Sequence, residues 1–151
     1  SVPAVKEPSG LSRTDGKRPD GMMLIPWQSG KCLLWDVTVV DILANTYLPL
    51  TSSRVGIAAE NAALRKESKY AALTTTYDFI PLAYETLGQI NDSALKCLSN
   101  LGRRISAITA DDRETSFLFQ RLSIIIQRFN AISFCNTFCD NSYACFYLFL
   151  F

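Results

Sequence analysis

Two apolar runs open the patterned part of the chain. Met22 to Trp27 (MMLIPW) is short, and Lys31 to Val40 (KCLLWDVTVV) is longer and rich in β-branched and aromatic residues. Both predict strands. Gln28-Ser29-Gly30 supplies a turn, so the two make a hairpin, with Pro26 marking an edge or a bend. The period then changes. In SRVGIAAENAALRKESKYAAL the apolar positions Val55, Ala58, Ala59, Ala62 and Ala63 recur at helical spacing, and Ser52 or Ser53 is placed to cap the helix. Continued along the helix, the same stripe arrives at Lys66, Lys69 and Tyr70, while Glu60, Leu64 and Glu67 fall on a different side. The face expected to pack on the sheet therefore ends in two lysines.

Asp78 to Leu87 (DFIPLAYETL) predicts a further strand, ended by Gly88. Ser93 to about Ala107 predicts an amphipathic helix with the stripe Leu95, Leu98, Leu101, Ile105 and Ile108. Thr115 to Asn130 predicts a very apolar helix, capped by Asp111 or Asp112. Residues 1–19, rich in Pro, Gly, Ser and charge, read as an extended lead-in. The expected class is α/β, a mixed sheet flanked by helices. Residues 31–87 would form a strand–helix–strand crossover, right-handed and with parallel strands. The expected organisation is one domain over 1–130, with a core over about 17–90 and a helical extension over about 91–130. An apolar, aromatic tail follows over 131–151, either a docking strand or a segment without specific function. That tail is too short to cross a membrane, which takes about 20 residues, and no membrane partner is expected.

Composition narrows the chemistry. The chain has 151 residues, 48% of them hydrophobic, enough for one domain with a core. The net charge is +1, so any nucleic-acid surface would have to be local. Histidine is absent, which excludes Ser-His and Cys-His triads and His-bearing zinc sites. The five cysteines are odd in number and follow no apolar leader in SVPAVKEPSG, which predicts reduced thiols and an intracellular setting. Cys135, Cys139 and Cys145 lack the spacing of a zinc finger or ribbon. The chain begins at Ser1, which reads as a processed product or a piece of a longer protein.

Against that background two aspartates stand out. Asp20 follows proline in KRPDG, and Asp36 lies sixteen residues later, inside the strand CLLWDVTVV. A carboxylate in a strand that otherwise looks buried is costly unless something pairs with it. Hydrolysis of a phosphodiester requires a deprotonated water, neutralised phosphate charge and a stabilised leaving oxygen. Magnesium supports all three and commonly takes one or two carboxylates with several waters. Asp20 and Asp36 on neighbouring strands suit such an ion, and a lysine suits the phosphate. Position 38 is threonine, so the lysine would come from the helix.

KRPD, then WDVTVV, then an alanine-rich helix carrying RKESKY, resembles the PD-(D/E)xK nuclease superfamily. The resemblance is to the restriction-endonuclease-like domain at the C-terminal end of site-specific non-LTR retrotransposon proteins. It covers about residues 6–130, most specifically 17–39 and 60–88, with Leu87-Gly88 also similar. It implies a restriction-endonuclease-like mixed β-sheet core flanked by helices, with additional C-terminal helices. It further implies Asp20 and Asp36 as metal ligands for Mg2+ or Mn2+, Lys69 as the displaced lysine with Lys66 second, and cleavage of DNA that nicks a target for reverse transcription. The implied partners are DNA and a reverse transcriptase on the same parent polypeptide, and the implied location is the nucleus. Two departures are visible: Thr38 replaces the usual lysine, and for the acidic residue that an N-terminal helix often adds to such sites the only early candidate is Glu7, in a segment that hardly looks helical. Both bear on whether this copy still cleaves.

Each residue also has a plainer explanation. Pro19-Asp20-Gly21 is a turn signature, Asp36 suits a structural ion pair, and Lys66 and Lys69 suit a solvated helix face. Glu60 and Glu85 read as a solvated residue and a strand-end salt bridge, or as accessory carboxylates. Arg103, Arg104, Arg113, Arg121 and Arg128 read as a polar helix face or as phosphate contacts. Trp27 and Trp35 read as core or cross-strand packing. The alternative to the nuclease is therefore a non-catalytic nuclease-fold or other α/β module for nucleic-acid or protein association.

Overall fold

The structure, a computed structural model, describes residues 3–11, 18–42, 44 and 54–138. Its elements in chain order are β1 (Ala4–Lys6), β2 (Gly21–Gln28), β3 (Lys31–Val40), α1 (Ile57–Tyr70) followed by a 3-10 turn (Ala71–Leu73), β4 (Asp78–Glu85), α2 (Asp92–Thr109) and α3 (Glu114–Phe138). The class is α/β. The four strands form one mixed sheet in the order β1-β2-β3-β4, antiparallel at the first two pairings and parallel between β3 and β4. The chain divides into two compact units, Ser1–Ser99 and Asn100–Phe151.

The hairpin closes on Ser29 (φ 49°) and Gly30 (φ 77°), a two-residue loop between the paired Gln28 and Lys31. Two positive φ values in succession are what a type I′ turn requires. Pro26 sits opposite Cys32 at a register irregularity of β2, past the three residues that β1 covers. The lead-in expected over residues 1–19 thus holds a short strand, β1, that pairs with Gly21–Met23. Gly21 is held small by Trp35, its cross-strand partner: a Cβ on Gly21 would lie 2.1 Å from the indole ring.

Helix α1 packs on the sheet through alanine. Ala58, Ala59, Ala62 and Ala63 join Val40 and Ala83 in one buried cluster. The expected stripe is correct at those four positions and wrong at Val55, which lies before the helix and is 74% exposed. Ser52 and Ser53 lie outside the described residues. The helix starts later than expected, with Gly56 (φ 80°) as its N-cap and no capping side chain of its own. Glu85 supplies the cap instead, accepting the N–H groups of Ala58 at 3.0 Å and Ala59 at 3.3 Å. The carboxylate is buried there, where the helix dipole favours negative charge.

Strand β4 ends at Glu85, two residues short of the expected Leu87, because Gly88 N–H turns back to the Glu85 carbonyl at 2.8 Å. Asn91, fully buried, then takes the place of a further strand at Ala83. Its side-chain Oδ1 accepts the Ala83 N–H at 2.9 Å, and its own N–H donates to the Ala83 carbonyl at 3.1 Å. In the first turns of α2 the buried residues are Ala94, Cys97 and Leu98. Of the expected stripe, Leu95 and Ile108 are exposed. In the second unit, Gly102 lies against Thr115, where a Cβ would meet Thr115 Oγ1 at 2.6 Å. Of the two expected caps for α3, Asp111 accepts the Arg113 N–H at 2.9 Å. Helix α3 continues through Phe138, past the boundary expected at 130, and the aromatic end of the chain lies outside the described residues.

Candidate functional site

Asp36 projects from β3 toward α1 and is 3% exposed. Both of its carboxylate oxygens receive a donor from that helix. Lys66 Nζ pairs with Oδ2, and the Tyr70 hydroxyl donates to Oδ1 at 3.3 Å. The four-residue step of the helix explains the pair: Ala62, Lys66 and Tyr70 follow one another on the face that packs on the sheet. Alanine lets the helix backbone come close, and the two longer side chains then reach the strand as the helix runs on.

Asp20 stands immediately before β2, after the buried Pro19. Its Oδ2 accepts the Val37 N–H at 2.6 Å. On the β2 side of β3 the paired register ends at Gly21 and Trp35, so Val37 lies beyond the last β2 partner and the aspartate serves its amide instead. This fixes one carboxylate beside the peptide that follows the other. The Tyr70 hydroxyl is a buried phenol beside Asp36. Burial first, then the charge of Asp36, push it up to about 12, Lys66 pulls it back, and the Asp36 hydrogen bond and the charge of Asp20 add to the rise.

The lysines take different posts. Lys66 is the charge partner of Asp36, with a quarter of its side chain exposed. Lys69, which the sequence resemblance ranks first, donates to the Tyr70 hydroxyl at 2.9 Å and lies 4.5 Å from the centre of that ring. Thr38 stands two residues after Asp36 on β3, where the sequence resemblance would place a lysine. It lines a pocket of about 350 Å³ together with Val40, Ala62 and Lys66, so the helix lysine borders the space into which a lysine at 38 would project.

The remaining candidates have other duties. Glu7 follows β1 directly rather than sitting on a helix, and its exposed carboxylate pairs with Arg18 at 2.6 Å. Its N–H, however, donates to the Asp20 carbonyl at 2.8 Å, which ties β1 to the PDG turn. Glu85 caps α1, as above. Glu60 is no idle solvated residue: it accepts the Asp92 N–H at 2.6 Å, at the start of α2. Arg113 pairs with Asp111 at 3.0 Å and holds that carboxyl below its ordinary value. Arg104 donates to Asn100 at 2.9 Å, while Arg121 and Arg128 are exposed on α3. Trp27 is buried, in keeping with a packing role.

Asp20 and Asp36 are hard oxygen donors, and no cluster of three or more His, Cys, Asp or Glu residues suited to a metal occurs among the described residues. Two carboxylates with the rest of the shell left to water suit magnesium or manganese, and do not suit a structural zinc. Tyr70 is the residue that sequence reasoning left without a role, although its place four residues after Lys66 was the available signal. No family profile, no curated protein and no solved structure matches this chain.

Proposed function

We propose that the chain is a metal-dependent endonuclease that hydrolyses phosphodiester bonds in DNA, with a restriction-endonuclease-like core of the kind found in site-specific non-LTR retrotransposon proteins. One observation carries the proposal. Asp36 from β3 pairs with Lys66 and Tyr70 of α1, and Asp20 from the PDG turn binds the amide of Val37, the residue that follows Asp36. Asp20 and Asp36 would hold Mg2+ or Mn2+, which when bound supplies an activated water and charge neutralisation. Lys66 carries a positive charge at the same carboxylate and is placed to offset charge on the scissile phosphate. Water adds to phosphorus, the bond to the leaving sugar oxygen breaks, and that oxygen takes up a proton. DNA is the substrate, nicking of a target for a reverse transcriptase on the same parent polypeptide is the role, and the nucleus is the place.

A second reading has its own support. Lys66 and Tyr70 satisfy both oxygens of Asp36 from within the chain, as a buried structural pair would, in a non-catalytic module for nucleic-acid or protein association. Supercoiled plasmid in Mg2+ separates the two. The endonuclease relaxes it, and Asp36→Asn slows relaxation on the order of a hundredfold or more. Equal relaxation by both proteins, or none by folded wild type in either Mg2+ or Mn2+, overturns the endonuclease.

A further inference from the structure

The Tyr70 side chain is 1% exposed, yet its oxygen joins two charged groups. Lys69 Nζ lies 2.9 Å away and Asp36 Oδ1 lies 3.3 Å away. The direction of each bond follows from the chemistry. An ammonium group has hydrogens to give and no lone pair to receive, so Lys69 must donate and the phenol oxygen accept. The single phenol hydrogen is then left for the carboxylate. The ring is held independently of the hydroxyl, tilted against Phe79 with centroids 4.8 Å apart. Removing the oxygen alone should therefore leave the ring in place.

We propose that Tyr70 is a positioning residue: its buried hydroxyl fixes the Asp36 carboxylate and anchors Lys69, so that Lys66 acts at the carboxylate directly and Lys69 acts through the phenol. The chain Lys69–Tyr70–Asp36–Lys66 explains why two lysines three residues apart are not interchangeable. Lys66 reaches Oδ2 without help. Lys69, one residue before Tyr70, meets the hydroxyl and the ring face of its neighbour. The hydroxyl holds Oδ1, which leaves the carboxylate one orientation between two donors. A hydrogen bond to a charged group counts for more than one between neutral groups, so this bond matters although it is long.

The catalytic part of the proposal rests on the endonuclease reading, and the part concerning Asp36 and Tyr70 does not. Two measurements keep them apart. The first is a double-mutant cycle in urea with Tyr70→Phe, Asp36→Asn and the double variant, which needs no activity. A hydroxyl bound to the carboxylate makes the two effects non-additive; additive midpoint shifts overturn the proposal. The second is plasmid nicking by Tyr70→Phe, Lys69→Met and the double variant. Tyr70→Phe should lower kcat on the order of tenfold, with KM for DNA within about twofold because the phenol touches no substrate. The double variant should be no slower than the slower single one. Wild-type kcat in Tyr70→Phe, or multiplicative losses in the double variant, overturns the proposal. Absence of nicking by folded wild type removes the endonuclease reading, and the urea cycle then decides the role of Tyr70 by itself.

Discussion

Lys66 and Asp36 meet across the interface of α1 and β3, with the carboxylate almost wholly buried and the ammonium partly open to water. A buried ion pair is expensive to break from one side, because the remaining charge loses its partner without regaining water. Lys66→Met should therefore cost about 3 kcal/mol in urea unfolding, at the lower end of the expected range because Lys66 is partly solvated. Adding Asp36→Asn should recover part of that loss, since it removes the stranded charge. Losses that simply sum in the double variant would show that the two groups do not interact.

Glu85 makes a parallel prediction for the other end of α1. It replaces the serine cap expected from sequence, and its charge faces the helix N-terminus. Glu85→Ala should cost about 1–2 kcal/mol, the usual range for a lost cap with some dipole contribution. Glu85→Gln retains an acceptor oxygen and should cost less than Glu85→Ala. Chemical denaturation of the three proteins checks the order, and equal stability of all three would remove Glu85 as the cap.

The contrast between the two ends of α1 shows what the sequence could disclose. The four alanines, Lys66 and Tyr70 share a face because of the helical repeat, so their common side was legible. Which lysine reaches Asp36 was not, because that depends on where the helix crosses the strand. The cap was hidden as well: Gly56 carries no capping side chain, and its substitute comes from Glu85, twenty-seven residues after Ala58. Strand β3 was legible in full because a β-branched run of that length suits little else. Strand β1 has three residues, too few to show alternation. In α2 the expected stripe is right at Leu98 and wrong at Leu95, where the structure buries the small Ala94 and Cys97 instead. Residue size misled there because close packing favours small side chains. The pairing of Asp20 with the Val37 amide was likewise unreadable, since it depends on where the β2–β3 register stops.

Tyr84 gives a pH dependence with a defined sign. Its buried hydroxyl has no hydrogen-bond partner among the described residues. Burial, with Cys97 adding to it, pushes the group from 10.0 up to about 12. A raised value means that the folded state keeps its proton after the unfolded chain has lost it. Stability is therefore unaffected below about pH 10 and falls as pH rises toward 12. Tyr70 acts in the same window. Tyr84→Phe should make the alkaline fall in Tm shallower. Near pH 7 it should also raise stability by about 1 kcal/mol, because it removes a polar atom that folding leaves unsatisfied. Unchanged alkaline slopes, or a loss of stability at pH 7, would show that the hydroxyl is well bonded.

The shared pocket of Thr38 and Lys66 allows a more demanding test of the proposed chemistry. Thr38 lies on the same side of β3 as Asp36, two residues on, and Lys66 borders the pocket from α1. If the site needs one ammonium group there and is indifferent to the element that brings it, the charge can be moved. Lys66→Met should lower plasmid nicking on the order of a hundredfold, as removal of a charge-stabilising donor does. Combining it with Thr38→Lys should restore about tenfold of that loss, which is about 1.4 kcal/mol of barrier. The double variant should also recover stability, because the new ammonium can pair with the buried Asp36. Recovery of stability without activity would assign Lys66 to the buried pair alone and would favour the non-catalytic module. Recovery of both would place the same charge in the hydrolytic step, whether carried by the helix or by the strand.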